Sequence, residues 1–156
     1  MMHCAAYELK GPVAIRYPRG TEIPLLQLPE LNDPQLSFVS YSAMTAPVQA
    51  AVQMLRDEGY RVNFLRLTQI APMDWAQLEA VQGPMLVVED CVQTGCVGEA
   101  IAAHFAGSKR QITLCNLGDQ FVTHGAVNKL YESLGMDAAG LVKRAKEVLG
   151  HGESQT

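Results

Sequence analysis

Cysteine, aromatic residues and positive charge are all scarce in this sequence. Four cysteines in 156 residues, none in a CxxC pair, offer neither a disulfide framework nor a zinc ribbon. Lys and Arg number 12 against 16 Asp and Glu, a net charge of −4, so the basic face of a nucleic-acid binder is missing. No apolar run approaches the ~20 residues a membrane span requires. The opening MMHCAAYELK lacks the basic stretch and long apolar run of a secretory signal. The expectation is a cytoplasmic protein with free thiols and neither a nucleic-acid nor a membrane partner. A metal set could be assembled only from Cys91, Cys96, His104 and Cys115. Their spacing is wrong for zinc and Cys115 reads as mid-strand, so no metal site is expected.

What remains, 48% hydrophobic and 18% charged, describes a globular chain long enough for one core. Residues 1–9 have helical composition, stopped by Lys10-Gly11-Pro12 before an apolar strand at Val13–Tyr17. Pro24, Pro29 and Pro34 punctuate a linker over 21–35. Strands then alternate with helices. LSFVSY at 36–41, RVNFLRL at 61–67, PMLVVED at 84–90 and QITLCNL at 111–117 read as strands. Helices are predicted over 46–58 with Gly59 as the cap, 72–78, 98–105, 126–134 and 138–149. That alternation predicts a three-layer α/β/α sandwich on a mainly parallel, mixed sheet over 36–150, with a flexible tail at 151–156.

The front of the chain fits this poorly, because a lone strand before the linker has no sheet of its own. Residues 1–20 therefore read as the last elements of a preceding domain. The strand ends in GPVAIRYPRG, a rigid corner where Arg16 and Arg19 bracket Tyr17-Pro18.

These segments carry a resemblance. GPVAIRYPRG is similar to the end of the pyrimidine-binding domain in the 1-deoxy-D-xylulose-5-phosphate synthases, thiamine-diphosphate enzymes of the transketolase family. SYSAMTAPVQAA resembles the strand-turn-helix that opens that family's C-terminal domain, RLTQIAPMD its "xxFVKPLD" segment, and LVVEDCVQTGCVGEAI its "VTVEEnxxxGGxGSAV". LGDQFVTHG and LYESLGMDAAGL resemble "LPDxFxxHG" and "LGLDxxGI". The likeness runs over residues 1–149 in order.

The resemblance implies a C-terminal domain fragment of an enzyme that joins pyruvate to D-glyceraldehyde 3-phosphate with loss of CO2, feeding isoprenoid, thiamine and pyridoxal synthesis. Thiamine diphosphate and Mg2+ would bind to missing N-terminal domains of the same polypeptide. No GDG with a downstream Asn and no candidate for the cofactor-activating Glu occur here, so no catalytic residue and no bound cofactor are expected on this fragment, which alone should be inactive. Partners would be those domains, a second copy in a homodimer and a small phosphorylated substrate. The motif assigns the substrate phosphate to Arg19, with Arg16 as a weaker neighbour, which suits a planar, permanently charged fork. Surface charges beside a turn are the plainer reading.

Other candidates have two readings each. Glu89 and Asp90 end a central strand, where paired carboxylates can act as acid and base or can cap the next helix and its loop. His124 could meet a partner domain or ligand, or make local cap contacts. Asp74 and Asp119 are expected to cap helices. At Thr94–Glu99 the chain lacks one Gly and the Ser of the family pattern. Two alternatives stay open: another transketolase-family C-terminal domain, or a stand-alone non-catalytic module for ligand binding or dimerisation.

Overall fold

The computed structural model describes residues 2–15 and 26–153. Arg16, Tyr17 and Arg19 lie outside them, with the second half of the Gly11–Gly20 corner. A short helix, α1 (Met2–Tyr7), comes first. Val13 to Ile15, expected to begin a strand, have no regular structure, and Val13 is 43% exposed. The physical reason is the one the sequence raises: without a neighbouring strand its backbone groups gain nothing by extending.

Four strands follow the linker: β1 (Leu36–Ser40), β2 (Val62–Arg66), β3 (Met85–Val88) and β4 (Ile112–Cys115). They lie in the order β2-β1-β3-β4, and every pair is parallel. The expected α/β/α architecture is present, and all strands among the described residues run parallel. Parallel strands are covered on both faces, which is why Leu36–Ser40 and Met85–Val88 are buried at every position. Alternate residues divide between two cores. Leu36, Phe38, Val62, Leu86 and Val88 pack with α2 (Thr45–Asp57) and α6 (Ala138–Glu153) on one face. Val39, Met85 and Val87 pack with Leu78 of α3 (Trp75–Ala80) and Ile101 of α4 (Val97–His104) on the other.

Local chemistry sets the element ends. Gly59 has φ 93°, a conformation natural to glycine, and follows α2 at its C-terminus as expected. Asp74 caps α3, its Oδ1 accepting from the Gln77 N–H at 3.1 Å. Pro72 belongs to the preceding turn, so α3 starts later than the sequence suggested. The final helix α6 runs past the expected end at Leu149 to Glu153. The described part of the linker is tied down: Asn63 exchanges hydrogen bonds with both backbone groups of Leu31 (2.9 and 2.8 Å), and the Arg56 guanidinium donates to the Pro29 carbonyl.

Candidate functional site

Chain order reverses between β1 and β3, so the carboxyl ends of these two strands flank the crevice where open α/β sheets place ligands. Tyr41 follows β1 and Glu89 follows β3. The Tyr41 hydroxyl donates to Glu89 Oε1 at 2.9 Å and closes the gap between the strands. The same carboxylate accepts from the Val97 N–H (3.0 Å, Oε1) and the Gly98 N–H (2.8 Å, Oε2). Both amides open α4, so Glu89 caps that helix from inside the protein at 1% exposure. Of the two roles open to Glu89, the geometry displays the capping one.

Gly98 is part of this device. A Cβ there would stand 2.6 Å from Glu89 Oε2 and 2.8 Å from Leu114 Cδ2, so the helix can lie on the carboxylate only if residue 98 has no side chain. The loop departs from the family pattern at Cys96 and Glu99 yet supplies substitutes for capping. Glu99 Oε2 accepts the Gly95 N–H at 2.7 Å and Cys96 Sγ accepts the Glu99 N–H at 3.4 Å.

Burial, followed by the hydrogen bond to Glu89 and its charge, pushes the Tyr41 phenol far above the ordinary tyrosine range. Cys91 lies in the same environment. Burial first, then the Glu89 charge, raises its thiol to about 11. Neither group is poised for proton transfer near neutrality, and the Cys91 thiol is kept protonated and unreactive.

Asp90 is directed elsewhere. Its Oδ2 accepts from the Tyr131 hydroxyl of α5 (Val127–Leu134) at 3.2 Å. Burial and the nearby carboxylate raise that phenol to about 12. The structure thus separates Glu89 and Asp90 into two different contacts. Asp119, expected to cap a helix, instead joins two loops: it accepts from the Thr94 N–H (3.0 Å) and Thr94 Oγ1 (2.9 Å), which holds its carboxyl below the usual range. The family-like loop brings Thr94 beside it, a pairing that sequence separation conceals.

His124 is exposed in the irregular segment before α5, whose first turn has no side-chain cap. His104, unremarkable in the sequence, stacks on Trp75 with ring centroids 4.2 Å apart and places Nε2 3.0 Å from Glu79 Oε1. Aromatic stacking at spacing 29 along the chain leaves no local signal. Cys91, Cys96 and Cys115 are free thiols, and among the described residues no three His, Cys, Asp or Glu gather to hold a metal. Glu89 and Asp90 are each engaged by donors of this chain. No described helix is long and apolar enough to cross a membrane.

Comparison with known proteins identifies the architecture. The family model "Transketolase, C-terminal domain" matches residues 29–141. A 1-deoxy-D-xylulose-5-phosphate synthase of Chlorobium luteolum is 34% identical over an alignment covering 94% of this chain and 26% of the synthase. One from Listeria monocytogenes serotype 4b is 30% identical, covering 89% of this chain and 26% of the relative. The chain thus spans about a quarter of the length of these curated relatives. Among solved structures, a split-gene transketolase in an inactive β4 tetramer superposes with a TM-score of 0.64 at 22% identity, over 76% of this chain and 40% of that one. The transketolase of Leishmania mexicana gives 0.58 at 18% identity, over 78% and 17%. At that identity the structures establish the fold, and the family match establishes membership: this chain belongs to the transketolase C-terminal domain family.

Proposed function

We propose that this chain is the C-terminal domain of a 1-deoxy-D-xylulose-5-phosphate synthase, which condenses pyruvate with D-glyceraldehyde 3-phosphate and releases CO2. The observation carrying this reading is the synthase match over 94% of the chain, too long to leave out Gly11–Gly20 and its arginines. Thiamine diphosphate supplies the carbanion chemistry when bound, and Mg2+ accompanies it, on domains other than this one. In this reading Arg19 holds the acceptor's phosphate, because a dianion needs a fixed cation with two parallel donors, and Arg16 adds to the local field.

The sheet and its helices act as scaffold. Glu89, at the start of the loop between β3 and α4, bonds the loop's far end through the first amides of α4 and is itself held by the Tyr41 hydroxyl beyond β1. Around the same edge, Val92, Phe121 and Val127 are exposed at 52%, 93% and 58%, and His124 lies among them in sequence. Apolar side chains left in water at one edge support a contact with the cofactor-binding domains or a second copy.

The test is to purify the native polypeptide containing this sequence and assay the condensation by release of CO2 and formation of the sugar phosphate. Activity requiring both substrates supports the proposal. A polypeptide holding all cofactor-binding domains but transferring two-carbon units between sugar phosphates, with no use of pyruvate, would replace it with a transketolase proper.

A further inference from the structure

Ser40 Oγ, Thr45 Oγ1 and Arg66 Nε are the buried side-chain polar atoms that find no hydrogen-bond partner among the described residues. All three occupy one corner of the fold. Ser40 ends β1 and is paired in register with Arg66, which ends β2. Parallel partners in register share a sheet face, and the alternation that sends Phe38 and Phe64 toward α2 and α6 sends Ser40 and Arg66 to that side as well. Thr45 is the first residue of α2, the helix that leaves β1 and packs on this face.

The corner gathers buried donors without an acceptor among the described residues. Ser40 is 0% and Thr45 4% exposed, while Arg66 is half-buried and can form the rim. Arginine can only donate, and both hydroxyls can donate. A 3-10 turn at Ser42–Met44 leads into α2, its Ser42 carbonyl accepting the Thr45 N–H, and the first turn of α2 holds no acid and no side-chain cap. The carboxylates at this edge of the sheet are engaged elsewhere, Glu89 with Tyr41 and α4, Asp90 with Tyr131. Buried donors are rarely left unmet in proteins, so three together indicate an acceptor that the described chain does not supply.

We propose that this corner binds a small oxyanion, a phosphate or a carboxylate group, through Arg66 at the rim with the Thr45 and Ser40 hydroxyls behind it. The proposal does not depend on the synthase reading. An anion here would link the ends of β1 and β2 to the start of α2, and so couple ligand concentration to the stability of this face.

The test is an NMR titration of this chain with inorganic phosphate, and separately with acetate, against chloride at matched ionic strength. Saturable shifts of the Arg66 Nε–H and the Thr45 amide are expected. Saturation by either anion supports the site and names its ligand class. Arg66→Gln should weaken binding about tenfold or more, the loss expected for one charge-assisted hydrogen bond. Thr45→Val keeps the shape while removing the hydroxyl, and decides the matter if Arg66→Gln does not fold. Absence of saturable shifts with both anions, or unchanged affinity in the variants, would overturn the proposal. So would a high-resolution structure grown in phosphate with only water bridging the three atoms.

Discussion

Replacing Glu89 tests whether one buried carboxylate holds the carboxyl edge together. It satisfies three donors, the Tyr41 hydroxyl and the amides of Val97 and Gly98, while 1% exposed. Glu89→Gln preserves volume but turns one oxygen into an NH2 group, which must face either Gly98 N–H or the Val97 and Tyr41 donors. At least one buried donor then loses its acceptor, at a cost of about 1–3 kcal/mol. Glu89→Ala leaves all three unmet and opens a cavity, and about 3–5 kcal/mol is expected. Against a total stability of roughly 5–15 kcal/mol, that variant should be on the edge of unfolding. Urea denaturation gives the numbers directly. For Glu89→Gln the midpoint should fall with the slope unchanged, and hydrogen exchange at the Val97 and Gly98 amides should accelerate. A Glu89→Gln midpoint equal to that of the parent, with those amides still protected, would refute the capping role.

The Glu89 device makes further demands. Gly98→Ala places a methyl group 2.6 Å from Glu89 Oε2 and should destabilise the chain by about 2 kcal/mol or more; a thermal melt matching the parent would mean α4 shifts freely. Alkaline titration should erode stability. Burial raises Cys91 from 9.0 to about 11 and Tyr131 from 10.0 to about 12, so the folded chain keeps protons the unfolded chain has lost. Stability contributed by these groups is complete below pH 9 and falls as pH rises through those windows. Tyr131→Phe should flatten the fall above pH 10, as read by denaturation at stepped pH. Cys91 itself should alkylate slowly at pH 7, because a rise from 9.0 to about 11 lowers its thiolate fraction about a hundredfold. Peptide mapping showing Cys91 modified as fast as a free thiol would contradict this.

Much of the fold was legible because its signals are local. Continuous apolar runs such as MLVV mark doubly covered strands, and Gly59 and Asp74 mark helix ends by their own backbone chemistry. Val13–Ile15 misled for a matching reason: apolar β-formers make a strand only beside a partner, and pattern carries no information about partners. The edge site was half legible. A carboxylate at the end of a central strand stood out, but its fixation by Tyr41, 48 residues away, depends on β1 and β3 being neighbours. Asp119 with Thr94, and His104 with Trp75 and Glu79, were hidden likewise, being set by how loops and helices meet. Ser40, Thr45 and Arg66 drew no notice as single residues, since what distinguishes them is an unmet valence shared at one corner.

The most direct test of the account's central claim is the steady-state kinetics of Arg19→Ala in the polypeptide containing this chain, with pyruvate and D-glyceraldehyde 3-phosphate varied separately. If the chain completes a synthase and Arg19 holds the acceptor's phosphate, KM for the phosphorylated acceptor should rise about tenfold or more, while pyruvate decarboxylation on the enzyme is unchanged. An equal loss for both substrates would remove the phosphate role, and a parent enzyme that never consumes pyruvate would contradict the account itself.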